Sequence, residues 1–478
     1  HTIKPEEINT LDARWVGAAK RYPPSRTTVA GLPGVEKDAV IDYEYQVHKK
    51  ERPFFWSRIT FGGTEPIERK VVRLRLPQQL ADDLQWDVAH DDADTVHHEV
   101  SRDNGHVTHT WTAVDLPARL DEPRRPPAWS YMPTLFVSLG DWQAYAEHVR
   151  TKLRRAMTPA ERVAAKTDAV LAQATTSRER LLAIRNFVAR EIRGAGPRLN
   201  GLPLSALSTA DTVVTDAYGN NTDRAVLLAA MLAHAGFEPT FVLGSWLPTH
   251  PTLYKRVTRL PATLFDVVLV AVDNPDTGER HYLGDTNQYD ALQTCAHAGR
   301  PALRLADGAL VRELGSADKR EDEAWTVAVK PDGAATVSFR RQTVHAAYGH
   351  QRKYYRELTP EKRRRHFLER LNRLSPAAEA VGDLTTDFDQ YPGVISYKAV
   401  VGTFAIRDGD YLYFELPASL SSLLRLRDNS RTQPLHIGDF APLTRRVEIV
   451  LPDGWEPVLT PTQVDSAAPL NGTLAITT

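Results

Sequence analysis

A chain of 478 residues with a single cysteine has no means of forming an intrachain disulfide, and the lone thiol, Cys295, leaves the redox compartment open. Long apolar runs are also missing: a membrane-spanning helix needs about 18 or more such residues, so no transmembrane segment is expected. Charge of one sign is lacking too. With 59 basic and 60 acidic residues the formal net charge is −1, which provides no general field to gather nucleic acid or anionic lipid, and nucleic acid is excluded as an expected partner. There is no initial methionine and no charged-then-apolar leader after His1, which leads us to expect a trimmed fragment without its targeting segment. What is present is ordinary for globular protein, 42% hydrophobic and 25% charged residues, with length for about three domains.

The most informative stretch is Tyr218-Gly219-Asn220-Asn221-Thr222-Asp223-Arg224-Ala225. A glycine turn feeds an alanine- and leucine-rich run, Val226 to Leu232, with helical periodicity and Gly236 in the position of a C-cap. Thiol enzymes place their nucleophile at such a junction, where free backbone N–H groups and the helix dipole stabilise a thiolate and then an oxyanion. This junction offers asparagine instead.

Gly219, Asp223, Ala225, Leu227, Leu228, Leu232 and Gly236 resemble the glycine-turn and nucleophile-helix segment of the bacterial transglutaminase-like family, a papain-like fold. The resemblance implies that Asn221 stands at the nucleophilic cysteine and Val267, in Leu264-Phe265-Asp266-Val267, at the histidine. Asp285, in His281-Tyr282-Leu283-Gly284-Asp285-Thr286, then stands at the acid. An asparagine amide is no useful nucleophile and valine accepts no proton. The expectation is therefore a non-enzyme: a cell-envelope or periplasmic pseudoenzyme binding a peptide, glycan or protein, without cofactor or metal. Its expected groove residues are Tyr218, Asn220, Thr222, Trp246, Tyr254 and Asp266. The alternative is a hydrolase or acyl-transfer enzyme built on Thr222 with Asp266 and Asp285, or on a site elsewhere. Asn220, Asn221 and Thr222 also read simply as helix caps. His297, two residues beyond Cys295, invites a Cys-His pairing, but residues two apart on a strand share a face without being held in catalytic geometry.

Around this core the expected architecture is multidomain α+β. Residues 1–140 read as a β-rich, sandwich-like domain truncated at its start, and 141–310 as a helical lead-in followed by the transglutaminase-like core. Residues 311–478 read as a C-terminal β-sandwich with one helix. Alternation over Ala39–Val47 and Val71–Leu76 predicts strands. Asn104-Gly105 predicts a type I′ hairpin that sets Arg102 opposite Val107, Val100 opposite His109 and His98 opposite Trp111. His98 and His109 then share a face, without the further ligands a zinc site requires. Residues 246–263 read as a proline-punctuated loop and 350–374 as one basic helix, whose Lys362-Arg363-Arg364-Arg365 run is a solvated face.

Overall fold

Strand-forming sequence and tight turns organise the first part of the chain in a computed structural model that describes residues 3–89, 95–284, 288–312, 314–315, 321–417, 431–436 and 443–459. β1 (Ile8–Asp12) pairs with β2 (Arg26–Ala30). β3 (Trp56–Thr60), β4 (Ile67–Pro77), β5 (Gln85–Ala89), β6 (His97–Asp103), β7 (His106–Leu116) and β8 (Thr134–Ser138) make two three-stranded sheets, ordered β3-β8-β5 and β4-β7-β6. Both contribute to one apolar cluster around Phe61, Trp111, Leu135 and Val137. The β6–β7 hairpin has the anticipated register, with Arg102 opposite Val107, Val100 opposite His109 and His98 opposite Trp111. Asn104 (φ 48°) and Gly105 (φ 73°) supply the left-handed conformations that the turn demands. The strand expected over 39–47 does not form. Its alternating residues are exposed, with Val40 at 95%, because no neighbouring strand offers them a ladder among the described residues.

His98 Nε2 lies 3.1 Å from His109 Nδ1, and the two rings stack with Trp111. Burial pushes both imidazoles below the ordinary histidine range; the neighbouring imidazole adds to this for His98, and Arg102 for His109. A base lowered on folding binds protons more readily when unfolded. The hairpin's stability should hold above about pH 6.5 and fall as the pH drops below it. Tryptophan emission followed through an acid titration checks this, and His98→Gln with His109→Gln should flatten the response.

The next region builds the core. Asp141 caps α1 (Trp142–Ala156), followed by α2 (Glu161–Leu171) and α3 (Ser177–Glu191). β9 (Arg193–Gly194), α4 (Ala210–Asp216) and β10 (Tyr218–Gly219) lead into α5 (Asn221–His234). Every residue of α5 from Thr222 to Leu232 is buried, and from Ala225 to Leu232 the helix is apolar on all sides, as a helix enclosed by its neighbours must be. It packs among Tyr145, Val149 and Leu153 of α1, Leu181, Ile184 and Val188 of α3, and one face of a five-stranded sheet. That sheet has the order β13-β12-β11-β14-β15, from β11 (Thr240–Gly244), β12 (Val267–Asp273), β13 (Arg280–Leu283), β14 (Ala302–Arg304) and β15 (Leu310–Val311), all antiparallel. β12 reads as an unbroken apolar run because both its faces are covered. Val268, Val270 and Val272 belong to the α5 side, while Val267, Leu269 and Ala271 pack with Cys295, Ala298 and Ala302. Within the expected loop at 246–263 lies a short helix, α6 (Pro251–Val257), opened by a proline at its first position.

The chain divides into two compact units, residues 1–318 with 427–440, and residues 319–426 with 441–478. In the second, β16 (Glu321–Val329) and β17 (Ala335–Thr343) form a hairpin. α7 (His345–Glu357) and α8 (Pro360–Leu374) follow, then β18 (Ala378–Asp387), β19 (Gly393–Val401), β20 (Ile406–Asp408), β21 (Tyr411–Tyr413) and β22 (Leu443–Val450). One sheet has the order β18-β19-β17-β16-β22, with β22 parallel to β16. Where a β-sandwich with one helix is expected, the described residues hold this five-stranded sheet, a two-stranded β20–β21 hairpin and two helices. The helical stretch divides where Thr359 caps α8 and Pro360 occupies its first position, since proline is favoured there and disfavoured inside a continuous helix. Phe367 of α8 packs edge-on against Tyr397 of the sheet. The protein is thus multidomain and α+β. No helix among the described residues is long and apolar enough to cross a membrane.

Candidate active site

The start of α5 is held by a buried polar network. The Asn220 side chain accepts the Asp223 N–H at 2.9 Å, an N-cap as the residue type predicts. Asp223 is fully buried, and its carboxylate accepts the Ser208 N–H at 3.1 Å and the Tyr22 hydroxyl at 2.6 Å. The Tyr22 oxygen in turn accepts the Asn220 N–H at 2.6 Å. Arg21 completes the set through Asp216, the Tyr218 carbonyl and, at 3.6 Å, Asp223. Residues near the chain's start thus fix the helix whose first turn carries Asn221.

Asn221, the first residue of α5, and Val267, the first of β12, line one cavity of about 260 Å³ together with Arg198, Trp246, Cys295 and His297. Asp285 lies outside the described residues. The structure therefore brings two of the three positions expected from the resemblance into one cleft and adds an imidazole that comes from neither α5 nor β12. His297 sits on the segment after β13, packed edge-on beneath Trp246, with ring centroids 4.5 Å apart.

The hydrogen bonding of His297 decides what its ring can do. Nδ1 lies 2.9 Å from the Ser245 carbonyl oxygen, which can only accept, so Nδ1 carries the proton and Nε2 carries the lone pair. Burial pushes the imidazole below its ordinary range, a direction that Arg300 and Arg198 reinforce and that the Ser245 carbonyl and Asp266 oppose. Neutral histidine with a defined basic nitrogen follows near neutral pH. Asp266 pairs with Arg198 at 3.3 Å, which links that carboxylate to the cleft.

Cys295 shares the cavity but is chemically quiet. Burial raises its thiol to about 11, against the weaker opposing pull of the His297 and Ala298 backbone N–H groups. The thiolate, the nucleophilic form, is therefore scarce at neutral pH. At pH 8 a disulfide-exchange reagent should label the folded protein at least tenfold more slowly than the urea-unfolded chain, for which the thiol returns to its ordinary range of about 8.5; equal rates would show an activated sulfur.

The remaining expected groove residues are dispersed. Tyr218 lies under the Arg21 guanidinium, 4.4 Å from its ring centroid, and Asn220 serves as the cap. Thr222 is fully buried and does not line the cavity, which places its hydroxyl beyond the reach of a substrate there. Tyr254 is buried in α6 with Arg312 over its ring, also away from the cleft. Trp246 lines it, and Asp266 adjoins it through Arg198. Arg198 carried no local signal in the sequence; His297 was visible only as a neighbour of the sole cysteine. Among the described residues no group of three or more His, Cys, Asp or Glu could hold a metal ion.

Residues 1–119 match a family described as a domain of unknown function with solved structure, DUF3857. No curated protein matches the chain. Among solved structures the chain is similar to one named a putative protease from Parabacteroides distasonis, at 14% identity and a TM-score of 0.51, over 84% of this chain and 79% of that one. A structure named a putative cysteine protease from Cytophaga hutchinsonii is similar at 12% identity over 49% of this chain and 78% of that one; its TM-score of 0.22 is too low to bear on the fold. The expectation of a non-enzyme is corrected by the first of these comparisons, whose name points toward an enzyme. At 14% identity the likeness establishes the fold, and the reaction has to be argued from this chain's own residues.

Proposed function

We propose that this chain is a hydrolase of peptide-like amide bonds on a transglutaminase-like fold, with water as the nucleophile and His297 as its base. The observation that carries the reading is the tautomer of His297, set by the Nδ1 contact to the Ser245 carbonyl, in a residue that lines the same cavity as Asn221 and Val267. The succession of α5, β11, β12 and β13 supports the fold, as does the position of Asn221 and Val267 at the first residues of α5 and β12. A site at the cell envelope or periplasm is carried by the family resemblance alone.

The chemistry balances without a thiol. A water oxygen attacks the carbonyl carbon of the substrate while Nε2 takes its proton; the carbonyl oxygen gains negative charge near the α5 N-terminus, whose dipole favours it. The imidazolium then returns the proton to the leaving nitrogen as the C–N bond breaks. Asp266, which favours the charged form of His297, assists that intermediate state. Asn221 has a place in this scheme as a neutral polar group beside the helix start, able to orient water or carbonyl.

The test is hydrolysis of a quenched fluorescent peptide mixture by the purified chain before and after thiol alkylation, and by Cys295→Ala. Activity that survives both supports the water mechanism. Loss of activity in Cys295→Ala with folding intact would return the chemistry to sulfur, and absence of any hydrolysis would remove the function.

A further inference from the structure

We propose that the second hollow lined by Trp246 is a subsite for a carboxylate carried by the substrate, either an acidic side chain or a free peptide C-terminus; this rests on the peptide-hydrolase reading above. Trp246 lines both the cleft and this neighbouring hollow of about 560 Å³, so a substrate residue placed in the hollow adjoins the one at His297. Arg125, Arg300 and His436 line the hollow with Pro126, Pro127 and Pro248, and no carboxylate is among its lining residues. Arg125 is paired with the Asp121 carboxylate at the border of the hollow, so the Arg300 guanidinium beside Trp246 is the group that would receive an anion, and the planar fork of arginine matches a carboxylate with two parallel hydrogen bonds.

The surroundings are prepared for such a ligand. Trp246 is 52% exposed, an unusual placement for a ring that gains by burial. It is braced by His297 beneath and by the Arg300 guanidinium 5.5 Å from its ring centroid. Arg300 is itself oriented by donating to the Leu247 carbonyl at 2.6 Å and the Trp246 carbonyl at 3.3 Å. The prolines add walls whose backbone has little freedom to lose on binding. An exposed indole in contact with both the proposed base and an arginine connects recognition to the reacting centre.

Three rhodamine-labelled heptapeptides of otherwise identical sequence test this. One carries a central glutamate and an amidated C-terminus, one a central glutamine and an amide, and one a central glutamine and a free C-terminal carboxylate. Fluorescence anisotropy with the wild-type chain should show one of the acids binding about tenfold more tightly than the neutral peptide, the scale of a charge-assisted contact, and which acid it is identifies the carboxylate's source. The preference should fall below about twofold in Arg300→Gln and in Trp246→Ala, and weaken as salt is added. Trp246→Ala keeps the test open if Arg300→Gln fails to fold. Equal binding of all three peptides overturns the subsite and leaves the peptide cleft standing. A preference that survives both substitutions also overturns it, and binding of none overturns subsite and peptide reading together.

Discussion

His297→Gln should lower kcat/KM for peptide hydrolysis by about a hundredfold or more, the ordinary contribution of a positioned general base, while the unfolding midpoint stays close to wild type. Glutamine is smaller than the ring it replaces, so it fits beside Gly244, where an added Cβ would come within 3.2 Å of His297 Cγ. Its amide can still donate to the Ser245 carbonyl, so the side chain is changed chiefly in losing the basic nitrogen. The pH profile of the unmodified protein supplies the companion result. Because His297 works unprotonated and burial lowers its pKa, activity should persist at pH 6.5 and decline only as the pH falls through the lowered value. Unchanged hydrolysis in His297→Gln would remove the base from the mechanism, and an acid limb centred well above 6.5 would assign the titration to another group.

Asp223→Ala should destabilise the first unit by about 3–5 kcal/mol, the cost expected when one member of a buried, hydrogen-bonded charge set is removed. The Ser208 N–H, the Tyr22 hydroxyl and Arg21 all converge on that carboxylate, which is fully buried. Tyr22→Phe keeps the ring and removes the oxygen that joins the Asn220 N–H to Asp223, so about 1–3 kcal/mol is expected. Urea unfolding of the three proteins gives these differences. The pH dependence has a definite sign. Burial raises the Asp223 pKa despite the Ser208, Tyr22 and Arg21 contacts that pull it down. The folded state therefore holds that proton more firmly, and its contribution to stability is present at low pH and lost as the pH rises through the folded pKa. Asp223→Asn removes this dependence. Equal stability of Asp223→Ala and wild type would mean that the network is incidental to the helix start.

These two sites differ in how far they could be read from the residues alone. The α5 junction was legible because it is local: glycine before, asparagine at the cap, a run of small and apolar residues after, and Gly236 (φ 85°) at the end. The Asn104-Gly105 hairpin was legible for the same reason, its turn determining which residues face each other. Local pattern misled at residues 39–47, where alternation is present but no partner strand is found among the described residues. It also passed over α6, whose seven residues are too few to show a period.

Tyr22 and Asp223 are separated by 201 residues and meet only through folding; no spacing rule connects them. The same holds for His297, whose relation to Asn221 and Val267 depends on how the segment after β13 crosses the sheet. The sequence by itself determined the capped helix with its apolar run, the hairpin at Asn104-Gly105, the absence of a thiol at the helix start and the near-zero net charge, because each follows from local pattern or from composition. Only the tertiary structure decided which imidazole stands in the cleft, which of its nitrogens is basic and which aromatic ring joins the cleft to the arginine-lined hollow. Those depend on burial and on hydrogen bonds between distant segments, which exist only once the backbone has closed around them.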